Sequence, residues 1–297
     1  MPWQQLKIEL NADSLETVEQ YLLDSGSLSV SYLDAEDQPI FQEEPGAIPL
    51  WDRITLLSLF EASKNLDDIL AWLRKQENIF NKTELASEVL EDQDWERSWM
   101  TDFKAMQFGE KLWICPSWQS PPDSDAVNIM LDPGLAFGSG SHATTSLCLQ
   151  WLDQQDLSES DVIDYGCGSG ILAIAAALLG AKSVTAVDND PQAITATEDN
   201  SQRNELDPSR VLAYLPDDFQ GSNETRADIL IANILAEPLL QLAPRFAELL
   251  KVDGKIVLSG LLESQAEEIV LHYESWFDMD KPCIKDDWVR LSGRRRS

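Results

Sequence analysis

The sequence predicts an α/β protein, a mostly parallel, doubly wound sheet preceded by a smaller α+β unit. Three observations carry that expectation. After Gly109, short apolar runs alternate with helical stretches, the order that builds a parallel sheet. One of these runs, "DVIDYG", leads straight into closely spaced glycines and a helix, as the first βα turn of a doubly wound sheet does. The length of 297 residues, 43% of them hydrophobic, is long for one compact domain and comfortable for two.

Residues 1–90 read as strand, helix, strand, strand, helix, strand, the order of a small split βαβ sandwich. "WQQLKIEL" alternates as a half-buried strand does. "DSLETVEQYLLDSG" offers Asp13 or Ser14 as a cap, helical spacing of Leu15, Val18 and Leu22, and Gly26 as a stop. "SLSVSYL" and "RITLLSLF" read as strands, "NLDDILAWLRKQ" as an amphipathic helix and "KTELASEVL" as a last strand. Residues 91–108 carry charges and aromatics without alternation and are expected to form a helical connector. Residues 109–297 then hold the sheet domain, with strands at "DVIDYG", "SVTAVD", "RVLAYL", "ADILIAN" and "GKIVLSG". An antiparallel pair is expected around "WFDMDKPCIKDDWVRLSGRR".

Acidic residues outnumber basic ones by 52 to 22, a formal net charge of -30. Such a chain repels nucleic-acid phosphates and anionic membranes, so no direct nucleic-acid or membrane binding is expected. A basic protein is the favoured partner, although the same acidity also serves solubility alone. Cys115, Cys148, Cys167 and Cys283 lie far apart without CxxC spacing, and with only two histidines no metal site is expected. The opening "MPWQQLKIEL" lacks a signal-peptide pattern and no apolar run is long enough to span a bilayer, so a cytoplasmic location is expected. No interface signature stands out, and a monomer is expected.

In the glycine turn "DYGCGSG", Gly166, Gly168 and Gly170 sit where free N–H groups at a helix start let a ligand approach. A dinucleotide fingerprint places its third glycine five residues after the first. Here that position is Ile171, and the third glycine comes one residue early. Asp188 ends the next strand, 22 residues after Gly166, where a carboxylate accepts bonds from both ribose hydroxyls and excludes a 2′-phosphate. Asp164, just before the glycines, suits an ammonium or sulfonium better than a diphosphate. A ligand with a ribose, a cationic end and no phosphate meets these demands: S-adenosylmethionine. Asp190 and Pro191 read as the cap and first-turn proline of the following helix.

Two further loops are expected to face this ligand. "DPGLAFGSGSHATTSLCLQWL" runs through Gly134, Gly138 and Gly140 into a helix that Thr144 or Thr145 could cap, with Phe137 placed near the methionine portion. Its other reading is an ordinary surface connection. His142 reads as a hydrogen-bonding loop residue rather than a base. "ADILIANILAEPL" ends an apolar strand on Asn233, at the carboxyl edge where ligands of open α/β sheets bind. The competing role for Asn233 is to cap the helix starting near Glu237 and Pro238.

These segments, together with "DWERSWMTDFKAMQFGEKLWICPSW" and "AVDNDPQA", resemble the ribosomal protein L11 methyltransferase (PrmA) family, and the resemblance covers nearly the whole chain. It implies a Rossmann-like class I methyltransferase domain, a smaller N-terminal α+β substrate-binding domain, and methylation of amino groups on a basic protein of the large ribosomal subunit. Carried over position by position, the cofactor contacts fall on Thr145, Gly166, Asp188 and Asn233. Ser139 and Ser141 stand where the family commonly has threonines and keep the hydroxyl. Ala143 stands where proline is more usual.

Methyl transfer to an amine is an in-line displacement that needs alignment and a neutral amine, with no obligatory strong base. Asn233 is therefore the one catalytic candidate, as a positioner. Two alternatives keep the same residues. One is a methyltransferase acting on a release-factor amide or an RNA base, for which an Asn-Pro-Pro run after the fourth strand is typical, whereas here Ile234 and Leu235 follow Asn233. The other is a non-catalytic S-adenosylmethionine-sensing adaptor.

Overall fold

The computed structural model describes residues 3–35, 51, 53–76, 86–90, 104–132, 142–219 and 226–297, with 86–90 as backbone alone. The chain divides into two units, Met1–Thr101 and Asp102–Ser297. That division falls inside the expected connector, of which 91–103 lie outside the described residues.

In the first unit β1 (Trp3–Asn11), α1 (Leu15–Asp24), β2 (Ser29–Asp34), β3 (Arg53–Glu61), α2 (Asp67–Lys75) and β4 (Ala86–Leu90) follow in the expected order. The strands form an antiparallel sheet in the order β2-β3-β1-β4. Alternation sends Leu6, Ile8 and Leu10 of β1 and Ile54, Leu56 and Phe60 of β3 to one face, where they meet Leu15, Val18 and Leu22 of α1 and Ile69 and Leu73 of α2. The helix α1 ends as expected before Gly26, with the Ser27 N–H on the Leu22 carbonyl at 2.9 Å. Its start differs. A 3-10 turn, Ala12–Ser14, leads in, and Ser14 has helical dihedrals, so its hydroxyl makes no capping bond.

The second unit opens with an element that the sequence did not suggest. Instead of a connector helix through residue 108, Met106–Phe108 is strand β5, antiparallel to β6 (Leu112–Cys115), which pairs in parallel with β7 (Val127–Met130). The reason is a short period-two pattern, with Gln107 exposed and Phe108 buried against Leu112, Ile114 and the helix below. The Asp153 carboxylate fixes the β5-β6 turn by accepting from the Glu110 and Lys111 N–H groups at 2.7 and 2.9 Å.

The main sheet follows: α3 (Ala143–Asp153), β8 (Asp161–Tyr165), α4 (Ile171–Leu178), β9 (Ser183–Val187), α5 (Pro191–Arg203), β10 (Val211–Tyr214), β11 (Ala227–Asn233), α6 (Ala236–Leu249), β12 (Leu250–Leu262), α7 (Ala266–Tyr273), β13 (Phe277–Met279), β14 (Cys283–Lys285) and β15 (Trp288–Arg295). Its order is β10-β9-β8-β11-β12-β15-β13, with β14 on β15. The first five strands are parallel and β15 is antiparallel to β12, as the final-pair expectation required. Adjacent strand residues divide between two cores. Val162, Ile229 and Ile231 pack with α3 and α4, while Ile163, Leu230 and Ala232 pack with α6 and α7. The strand order reverses between β8 and β11, which opens a crevice at their carboxyl ends.

Candidate active site

That crevice is a cavity of about 700 Å³, and Gly166, Asp188 and Asn233 all line it. Its walls are mainly apolar, with Ile234, Leu235, Pro238 and Leu242 on one side and Gly260 and Trp288 on another. No lysine or arginine lines it among the described residues. The lining thus offers no side-chain cation to pair with a phosphate, in keeping with a ligand that carries none.

The glycine turn presents bare backbone to this space. Gly166 has φ +83°, a left-handed conformation, and a Cβ built on it would lie 2.1 Å from Ile234 Cγ2. Its N–H and that of Cys167 both bond to the Val187 carbonyl, at 2.7 and 3.1 Å, which ties the turn to the end of β9. Asp188 completes the tie. One carboxylate oxygen accepts from the Gly168 N–H at 2.8 Å and the other from the Asp190 N–H at 3.0 Å. Asp188 is only half-buried, so lone pairs remain for a ligand diol. Gly168 thus contacts Asp188 and does not itself wall the cavity. Asp190 caps α5 through the Gln192 N–H at 2.8 Å, as expected.

Asn233 ends β11, and its Nδ2 donates to Thr145 Oγ1 at 3.2 Å. The capping role is not taken, because α6 begins after Leu235 without a side-chain cap. Nor does Thr144 or Thr145 cap α3. Both lie inside the helix and are buried, and His142 is the cap. Burial lowers the His142 pKa, and its ring Nδ1 lies 2.7 Å from Thr144 Oγ1 and accepts the Thr144 N–H at 3.4 Å. The ring also meets Trp288 edge to face, with centroids 4.7 Å apart, on the cavity wall. Thr145 is therefore connected to the cavity through Asn233. Phe137 lies outside the described residues.

Asp164 is placed differently from the ammonium contact expected of it. It has no exposed surface, does not line the cavity, and accepts from the Ala173 N–H at 3.0 Å, joining β8 to the first turn of α4. Its other oxygen is buried without a hydrogen-bond partner. Burial pushes its pKa up to about 7, with the Asp188 charge adding to the rise. A carboxyl whose folded pKa lies above its unfolded value near 4 favours the folded state when protonated, so this contribution fades as pH rises from about 4 to about 7. We expect the stability of wild type relative to Asp164→Asn to fall by about 1.4 kcal/mol per pH unit across that window and to level off above it. Urea melts of both proteins from pH 4 to 8 measure it, and a flat difference would show that folding leaves the Asp164 pKa unshifted.

Sequence reasoning missed the walls: Tyr165, Gly260, Leu235, Pro238 and Trp288. Gly260 could have been found, since it closes the apolar run "GKIVLSG" at the same carboxyl edge as Asn233. Trp288 carries no such signal, because only the antiparallel return of β15 beside β12 brings it there.

A parallel sheet reversing at β8 and β11, with a glycine turn, a half-buried carboxylate and an apolar cavity at the reversal, is the framework of an S-adenosylmethionine-dependent methyltransferase of the Rossmann-like class. Comparison with known proteins narrows this. Residues 2–296 match the family described as Ribosomal protein L11 methyltransferase (PrmA). The chain is 50% identical to the ribosomal protein L11 methyltransferase of Marinobacter nauticus over 299 residues, covering 100% of this chain and 99% of that one. It is 49% identical over 296 residues to that of Shewanella baltica (strain OS195), covering 100% of both. A crystal structure of ribosomal protein L11 methylase from Lactobacillus delbrueckii subsp. bulgaricus matches with a TM-score of 0.59 at 35% identity, covering 66% of this chain and 100% of that one. The chain belongs to the ribosomal protein L11 methyltransferase (PrmA) family. Among the described residues, no helix is long and apolar enough to cross a membrane.

Proposed function

We propose that this protein transfers methyl groups from S-adenosylmethionine to lysine and N-terminal amino groups of ribosomal protein L11, in the cytoplasm and as a monomer. The observation that carries the reading is the cavity at the β8-β11 reversal, with Gly166, Asp188 and Asn233 on one wall system and no cation among its lining. S-adenosylmethionine supplies an electrophilic methyl group on a sulfonium. The residues of this chain hold, orient and dry the reacting groups. Asp188 accepts the ribose hydroxyls while its backbone bonds keep it in place. Gly166, without a side chain, lets Ile234 pack against the turn, and both line the cavity. The Asn233 amide, with its Nδ2 spent on Thr145, keeps Oδ1 as an acceptor for an N–H of the amine. Trp288, Leu235 and Ile234 exclude water. A lysine with an ordinary pKa of about 10.4 loses its proton more readily on entering such an apolar space.

The N-terminal unit suits substrate recognition by charge. Residues 1–95 hold 20 acidic and 6 basic residues, a net of -14, against -16 for the remaining 202. Its charge density is about twice that of the rest, and a basic substrate is drawn to it by long-range attraction. We expect the KM for L11 to rise as salt shortens the Debye length below about 10 Å. A chain beginning at Asp102 should still bind S-adenosylmethionine and lose methylation of intact L11. If it methylates L11 as well as the full chain does, the lobe is not the recognition domain.

The function itself is tested by incubating the protein with labelled S-adenosylmethionine and a mixture of large-subunit proteins, ribosomal RNA and release factors. Label on L11 supports the reading. Label on RNA or a release factor moves the activity to another acceptor, and no label anywhere leaves a cofactor-sensing adaptor.

A further inference from the structure

Behind the strand that carries Trp288 lies a second cavity, of about 350 Å³, between α7 and the β14-β15 pair. Its floor is apolar, formed by Ala266, Val270, Pro282, Ile284 and Val289, and Ile284 is 49% exposed. Its rim carries Glu263, Glu267 and Asp280 and no basic side chain. Asp280 accepts from Ser292 Oγ at 2.9 Å. Glu263 and Glu267 are exposed and enter no ion pair among the described residues. An apolar trough edged by uncompensated carboxylates is complementary to an apolar side chain flanked by lysines, whose alkyl stems cover the walls while the ammonium groups reach the rim.

The groove and the methyl-transfer cavity share strand β15 and adjoin again just past the end of β12. On β15, Trp288 lines the cavity and its neighbour Val289 lines the groove, on opposite faces of the sheet. Near the end of β12, Gly260 lines the cavity, and Glu263, which opens the 3-10 turn just past that strand, stands on the groove rim. A polypeptide seated in the groove therefore lies close to the cavity mouth.

We propose that this groove docks a lysine-flanked apolar segment of the protein substrate, at a distance from the amine being methylated. The proposal rests on the protein-substrate reading above and adds a second point of attachment. Electrostatic attraction from the acidic surface steers the substrate, and the groove sets its register.

The test uses the full-length protein with two groove variants, Glu263→Lys/Glu267→Lys and Ile284→Asp. A control pair, Glu110→Lys/Glu198→Lys, makes the same change in net charge as the double lysine variant, at exposed positions elsewhere. Binding of unmodified L11 is measured by calorimetry without cofactor, alongside steady-state kinetics on L11 and on a short lysine peptide. Both groove variants are expected to weaken L11 binding and raise its KM about tenfold, with kcat/KM for the short peptide unchanged and the control pair shifting either quantity less than about twofold. Groove variants that match the control pair, or that lose activity equally on the short peptide, overturn the proposal. A wild-type protein that neither binds nor methylates L11 instead overturns the functional reading on which the groove depends.

Discussion

Asp188→Ala is expected to weaken S-adenosylmethionine binding roughly tenfold to a hundredfold, the loss of charge-assisted bonds worth about 1.5 to 3 kcal/mol. The geometry adds a reason beyond the lost ribose contact. The same carboxylate accepts from the Gly168 and Asp190 N–H groups, so its removal also loosens the glycine turn, which the Gly166 and Cys167 bonds to the Val187 carbonyl still hold to the end of β9. Asp188→Asn keeps one acceptor oxygen but loses the charge and one backbone bond, and is expected to fall between wild type and the alanine variant. Titration calorimetry with S-adenosylmethionine on the folded variants reads this directly. An unchanged affinity for Asp188→Ala would place the ribose elsewhere and remove the reading of the glycine turn.

Asn233→Ala is expected to lower kcat for methyl transfer about a hundredfold while the protein stays folded, because a misplacement of about 1 Å between reacting atoms has that cost. The side chain sits on the cavity wall and not in either core, and among the described residues its one side-chain bond is to Thr145. Thr145→Val removes that bond and leaves the amide in place, so it should lose part of the same activity and less of it than Asn233→Ala. Circular dichroism and turnover on L11 separate folding from chemistry. Full activity in Asn233→Ala would make the residue a structural end to β11 and nothing more.

The elements legible in the sequence are those whose burial has a period. Leu6, Ile8 and Leu10 alternate along β1, and Leu15, Val18 and Leu22 recur on one face of α1, so both could be read before any fold was known. The parallel strands were legible as short, mainly apolar runs alternating with helical stretches, and the glycine turn with Asp188 marked the carboxyl end of the sheet. Strand β5 was not legible, because three residues, Met106–Phe108, are too short for a period to stand out beside the charges and aromatics that precede them. The caps of α1 and α3 were misread for a local reason. A serine or threonine near a helix start caps only when its backbone is extended, and that conformation falls on His142 in α3. Of the site, Gly166, Asp188 and Asn233 were legible because each ends a strand at the carboxyl edge. Trp288 was not, since an antiparallel return after a long insertion brings it to the cavity. Asp164 was read as a ligand contact from its position beside the glycines, but its side chain turns under α4.

In the proposed function, amino groups of L11 receive methyl groups from S-adenosylmethionine in the cavity lined by Asp188 and Asn233. Peptide mass mapping of unmodified L11 after reaction tests it most directly, with wild type and Asn233→Ala run side by side. Mass gains in whole methyl increments are expected, mapped to lysine side chains and the N-terminal amine, strong with wild type and nearly absent with Asn233→Ala. L11 that keeps its original mass after reaction with wild type, while the same protein binds S-adenosylmethionine, would contradict it.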